Sequence, residues 1–253
     1  MTTVRFCVVL VCALAAIASI ARAELPADNI KIFLLIGQSN MAGRGKVEAE
    51  DTQAHPRVFM LTKDLAWVPA IDPMHFDKPE RIGTGLGKTF GAVVADAEPG
   101  AIIGLVPAAF GGSALDEWRP GEPHYVAALA RAKEALKHGQ LAGILWHQGE
   151  SDRAPNLVAT YPERFAKMIA QLRADLGAPD VPVILGEIGR FCDDQAGINA
   201  ALAETARKIP DAAFVTTEGL TDQGDKLHFD SASFRELGRR YARAWQTLAG
   251  TKR

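Results

Sequence analysis

Five short apolar runs punctuate the chain: Lys31–Ile36, Ala101–Ala108, Ala142–Trp146, Val181–Glu187 and Ala213–Thr217. Each is bounded by Gly or Pro and lacks the polar alternation of a half-exposed strand. Runs of this kind predict strands buried on both faces, as in a parallel sheet. Between them the spacing changes. "YVAALARAKEALKHG" repeats apolar residues at helical intervals and stops at Gly139. "YPERFAKMIAQLRADLG" puts Phe165, Met168, Ile169, Leu172 and Leu176 on one helical face, and "FRELGRRYARAWQTLAG" does the same with Phe234, Leu237, Tyr241, Trp245 and Leu248. Strands alternating with helices predict an α/β fold: a three-layer α/β/α sandwich around a five-stranded parallel sheet. One region breaks the rhythm. Residues 45–83 hold Pro56, Pro69, Pro73 and Pro79, with "RVFML" as a candidate extra strand, and read as an insertion over one edge of the sheet.

Composition adds two boundaries. The chain has 253 residues, 48% hydrophobic and 23% charged, which suits one substantial core. Its net charge is −2 and no basic patch stands out, so nucleic acid is not an expected partner. The first 23 residues read differently from the rest. Arg5, an apolar run from Phe6 to Ile20, and Ala21-Arg22-Ala23 have the layout of a secretory signal peptide cut after Ala23. The run falls short of the ~20 apolar residues a membrane span needs. The expectation is a signal at 1–23 and one domain over 24–253, exported to a periplasm or beyond, with no stable membrane association after cleavage. Cys7 and Cys12 leave with the signal, so Cys192 is expected to be a partly buried free thiol without a disulfide partner.

The chemistry concentrates at strand ends, where open α/β sheets bind ligands. "IFLLIGQSNM" ends a buried strand with Gly37-Gln38-Ser39-Asn40. A serine hydroxyl becomes a nucleophile only beside a base. Of the histidines, His147 and His228 are the ones placed by a strand or by the approach to the last helix. His228 lies in "GDKLHFD" with Asp225 three residues earlier, close enough to orient the imidazole, and Asp222 and Asp230 are rivals for that role. "GILWHQGESD" delivers His147, Gln148 and Glu150 to the same edge. A metal reading of His147 and Glu150 lacks a second ligand cluster. An oxyanion reading fits better, with Gln148 as a neutral donor and Glu150 holding its loop. "AAFGGSALDEW" supplies Gly111-Gly112, where the backbone can approach a ligand and present bare N–H groups. Trp67 and Trp118 either pack or stack on a sugar.

Together these blocks resemble the SGNH (GDSL-like) hydrolase superfamily, and within it the carbohydrate esterase branch of acetylxylan esterases and sialate O-acetylesterase-like proteins. The matching residues are Gly37-Gln38-Ser39-Asn40-Met41, Gly111-Gly112-Ser113, Trp146-His147-Gln148-Gly149-Glu150 and Asp225-Lys226-Leu227-His228. The resemblance implies the flavodoxin-like SGNH fold. It implies Ser39 as nucleophile, His228 as base and Asp225 as its orienter. The implied oxyanion hole is the Ser39 N–H, the Gly112 N–H and the Gln148 side chain, with Gln38, Asn40, Gly111, His147 and Glu150 in support. No metal or cofactor is expected, and the expected partner is an acetylated carbohydrate. Gly-Gln-Ser-Asn in place of Gly-Asp-Ser-Leu, and Gln148 in place of asparagine, favour the carbohydrate esterases over lipases. The α/β-hydrolase elbow G-x-S-x-G is absent, because Met41 stands at its second glycine. The alternatives are a non-catalytic sugar binder and an esterase for lipid or small-molecule esters.

Overall fold

The structure, a computed structural model, describes residues 30–250. The expected signal at 1–23 lies outside the described residues. Among these, no helix is long and apolar enough to cross a membrane.

The first strand, β1 (Ile30–Gly37), lies at the centre of the sheet. A single turn of helix, α1 (Ser39–Ala42), follows it. The irregular region then contributes β2 (Val58–Leu61) and β3 (Trp67–Pro69), and the chain continues through α2 (Gly87–Ala97) into β4 (Ile103–Pro107). Next come α3 (Pro123–Ala135), β5 (Gly139–His147), α4 (Pro155–Asp175), β6 (Val183–Gly186), α5 (Gln195–Lys208), β7 (Ala212–Val215) and α6 (Ser231–Gly250). The strand order is β3-β2-β4-β1-β5-β6-β7.

The five expected strands are the contiguous parallel set β4-β1-β5-β6-β7. The sheet itself has seven strands. "RVFML" supplies β2, parallel to β4, and β3 folds back antiparallel to it across a loop closed by the Thr62 and Ala66 backbones. The irregular region therefore widens the sheet as well as covering it. Prolines and short strands masked the hairpin, because a three-residue strand carries almost no period.

Alternation is hidden inside the apolar run of β1. Ile30, Ile32, Leu34 and Ile36 face the layer formed by α3, α4 and α5, while Phe33 and Leu35 face α2 and α6. All six side chains have no exposed surface. Each contributes roughly 1.5–3 kcal/mol on burial, so the Gly37–Ser39 turn is mounted on a strand anchored to both layers. Phe33 meets Phe90 of α2 and Trp245 of α6 edge to face, at 4.9 and 5.1 Å between ring centroids. Helix α4 begins at Pro155 and runs through Pro162, earlier than the apolar spacing predicts. Proline suits a first helical position, and Pro155 takes it. Trp67 and Trp118 are buried and pack in the core, which rules them out as sugar platforms.

Candidate active site

In the order β4-β1-β5 the chain reverses direction across the sheet at β1, which creates a crevice at the strands' carboxyl ends. The turns after β1, β4 and β5 meet there. Gly37 adopts φ 132°, and a Cβ on it would stand 2.2 Å from the His147 carbonyl oxygen. A bare Cα is what lets the Ser39 turn lie against β5, where the Gln38 N–H donates to His147 O at 2.9 Å.

The loop before α6 delivers His228. Asp225 Oδ1 accepts the backbone N–H groups of Leu227 (3.0 Å) and His228 (2.8 Å), folding the segment into a tight turn with Lys226 at φ 54°. That turn brings Asp225 Oδ2 to 2.6 Å from His228 Nδ1. A carboxylate can only accept, so Nδ1 carries the proton and Nε2 is free to accept. Nε2 lies 3.1 Å from Ser39 Oγ. Burial opposes ionisation of Asp225, but the His228 backbone N–H, the His228 ring, the Leu227 N–H and Gln223 outweigh it and hold its carboxyl well below the usual range. The rival acids have other work. Asp222 accepts the N–H groups of Gly224 and Lys226, and Asp230 caps α6 through the Ser233 N–H at 2.7 Å. Ser39 and His228 are buried at 6% and 4% exposure, so a proton shared between them is shielded from bulk water.

Residues 110–113 form a turn closed by Ser113 N–H to Phe110 O at 3.2 Å, with Gly112 at φ 86°. The Gly111 N–H donates to Asp77 Oδ2. The N–H groups of Ser39 and Gly112 donate to no acceptor among the described residues. Both residues line the same cavity, so these two N–H groups are open to a ligand there.

Gln148 is not a third. It is fully buried and does not line the cavity. Its amide nitrogen donates to Ser113 O (3.1 Å) and Asp152 Oδ2 (2.7 Å), and its oxygen accepts from the Tyr161 hydroxyl (2.8 Å). The expected oxyanion donor is instead a brace for the glycine turn, because both of its hydrogens are already engaged. His147 is likewise inaccessible. Burial pushes its pKa down to about 3, so it is neutral, with Nδ1 3.1 Å from the Tyr241 hydroxyl. No group of three potential metal ligands occurs among the described residues.

Asn40 and Glu150 connect the turns. The Asn40 amide donates to Glu150 Oε1 (2.5 Å) and Leu227 O (3.0 Å) and accepts from the Phe229 N–H (3.3 Å). Burial raises the Glu150 pKa against the opposing bond from Asn40. Gln38 lines the cavity with its Oε1 buried and without a partner among the described residues.

The cavity measures about 270 Å³ and is rimmed by residues that the strand-end motifs did not mark: Arg44, Lys78, Arg81, Ser151 and Arg153. Arg44 is paired with Asp77. Among the described residues the side chains of Lys78 and Arg81 make no ion pair or hydrogen bond, and Arg153 is held by the carbonyls of Glu150 and Asp193. Glu150 is the one carboxylate in the lining. The cavity is therefore strongly cationic. The signal in the sequence was "FDKPERIG", a dense run of charge within the irregular region.

Residues 29–247 match the model of the family described as carbohydrate esterase, sialic acid-specific acetylesterase. A probable carbohydrate esterase of Arabidopsis thaliana is 32% identical over 245 residues, covering 88% of this chain and 92% of the relative. Among solved structures, an Arabidopsis thaliana protein superposes with a TM-score of 0.79 at 30% identity, covering 88% of this chain and 99% of that one. The crystal structure of NanS superposes with a TM-score of 0.75 at 19% identity, covering 89% and 99%, a likeness of fold. The chain belongs to this family of carbohydrate esterases and is a carboxylic ester hydrolase.

Proposed function

We propose that this carbohydrate esterase removes O-acetyl groups from acidic sugars through a serine nucleophile and an acyl-enzyme. The observation that carries the reading is the relay Asp225 Oδ2–His228 Nδ1 at 2.6 Å and His228 Nε2–Ser39 Oγ at 3.1 Å. His228 takes the Ser39 proton as the hydroxyl attacks the acetyl carbonyl. The carbonyl oxygen becomes negative and is held by the N–H groups of Ser39 and Gly112. The sugar alcohol leaves with the proton from His228, and water releases acetate by the same steps. Asp225 stays ionised, fixes the tautomer and stabilises the imidazolium. Pure sugar binding needs none of these three side chains.

Lys78, Arg81 and Arg153 support an acidic substrate, such as an O-acetylated sialic acid, over a neutral acetylated xylan. A cleft lined by one sign of charge concentrates ligands of the other. We further propose export after cleavage of residues 1–23, which amino-terminal sequencing of the exported protein would test.

The first experiment is acetate release by wild type and Ser39→Ala from 4-nitrophenyl acetate, acetylated xylo-oligosaccharide and O-acetyl sialic acid. Release by wild type alone, fastest relative to KM on the acidic sugar, is the expected result. Activity in Ser39→Ala would overturn the mechanism, and a preference for the xylo-oligosaccharide would overturn the substrate class.

A further inference from the structure

Arg44 and Asp77 form an ion pair beside the cavity that no step above uses. Arg44 is 7% exposed, and the Asp77 side chain has no exposed surface. The contacts are Nη2–Oδ2 at 2.7 Å and Nη1–Oδ1 at 3.5 Å. Arg44 Nη1 also donates to Gly43 O at 2.8 Å, immediately after α1. Asp77 Oδ2 accepts the Gly111 N–H at 2.8 Å. One pair of side chains thus grips the backbone of both turns whose Ser39 and Gly112 N–H groups are open. The fit is close. A Cβ on Gly111 would stand 2.5 Å from Arg44 Nη2 and 2.7 Å from Asp77 Oδ2.

A buried ion pair is weak evidence for stability, because desolvation offsets much of the attraction. What this pair does provide is a fixed geometry. Each partner also holds one backbone group of the site, Gly43 O for Arg44 and the Gly111 N–H for Asp77. We infer that the Arg44–Asp77 pair is a positioning device that sets the separation of the Ser39 and Gly112 N–H groups, so that both reach one oxyanion. The inference rests on the esterase reading above. Asp77 engages the Gly111 N–H, which leaves the Gly112 N–H as the turn's free donor. Burial opposes ionisation of Asp77, yet the bonds from Arg44 and the Gly111 N–H hold its carboxyl below the usual range, so Asp77 is ionised at neutral pH.

The test uses the whole protein and 4-nitrophenyl acetate, a neutral ester with no carboxylate for Arg44 to meet. Asp77→Ala should lower kcat about 10²-fold with KM changed less than about twofold, as expected for misplaced catalytic groups. Asp77→Asn keeps an oxygen that can accept the Gly111 N–H and should recover about tenfold of that loss. Affinity for a boronic acid, which forms a tetrahedral adduct on the serine, should fall in step with kcat. A purely structural pair would lower the melting temperature and leave both readouts near wild type. Folded Asp77→Ala with wild-type kcat, a loss carried by KM, or Asp77→Asn no better than Asp77→Ala would each overturn the inference. If Asp77→Ala does not fold, Arg44→Gln decides. A loss of about tenfold in kcat and in boronic acid affinity supports the device, and wild-type values for both overturn it. Ser39→Ala is the separate control: if it stays active, the esterase reading fails whatever the pair does.

Discussion

The turns after β1 and β5 stand side by side at the centre of the sheet and begin with similar residues, yet they handle polar groups in opposite ways. After β1, Gln38 and Ser39 line the cavity, and the Ser39 N–H and the Gln38 amide oxygen have no partner among the described residues. After β5, every hydrogen of the Gln148 amide is engaged, and its oxygen is held by Tyr161. Gln38 and Ser39 leave groups open to the cavity, whereas Gln148 turns inward and stiffens the neighbouring glycine turn. Polar residues at a strand end therefore identify a site, but the partners of each hydrogen decide which residues act in it. Asn40 and Glu150 join the two turns.

Four measurements bear on that contrast. Ser39→Ala should lower ester hydrolysis by on the order of 10⁴-fold or more, the scale of losing a serine nucleophile. Asn40→Ala cuts the bridge between the turns and frees the Leu227–Phe229 backbone, so kcat should fall by roughly 10–100-fold through a displaced His228. Rates equal to wild type would show that the turns hold their places independently. Gln148→Ala should behave as a structural change. Losing the three buried bonds to Ser113 O, Asp152 and Tyr161 costs about 3 kcal/mol, or roughly 6–12 °C in melting temperature for a domain of this size. Well below that temperature kcat should drop by less than about tenfold, and a 10²–10³-fold loss would restore Gln148 to the oxyanion hole.

The smallest effect is on acid stability. Burial lowers the pKa of His147, and of His75 in the irregular region, to about 3. The unfolded value is about 6.5, so between those limits the unfolded chain binds more protons and stability falls as pH falls. Glu150 and Asp72 are raised by burial, so their contribution has the opposite sign. The destabilisation that His147 contributes between pH 7 and pH 4.5 should vanish in His147→Gln, which shifts the slope of melting temperature against pH relative to wild type. An unchanged slope would mean that His147 is not a buried neutral base in the folded protein.

The apolar runs mark the five parallel strands because burial on both faces leaves no room for polar alternation. Ser39 and His228 were visible because each lies beside a strand or helix boundary, and Asp225 because a three-residue turn is local. Gln148 was misjudged because its partners, Asp152 and Tyr161, come from the following loop and from α4, and only packing reveals that they converge. Asp77, Lys78 and Arg81 were missed because residues 70–86 have no period to follow, and their return across the crevice is a tertiary fact. The free thiol was legible from counting. Cys192 is buried, and burial, the largest cause, pushes its pKa up to about 12, which keeps it unreactive.

The hairpin that widens the sheet has a bearing on how these molecules behave in a crowd. An exposed sheet edge offers unpaired backbone groups that another chain can extend. Here that margin is β3, three residues long and closed by Pro69, which has no N–H to offer. The opposite margin, β7, is four residues long and packs against α5 and α6. Neither border gives a second molecule a long template for intermolecular pairing, so the sheet that supports the crevice is guarded against growing into an aggregate.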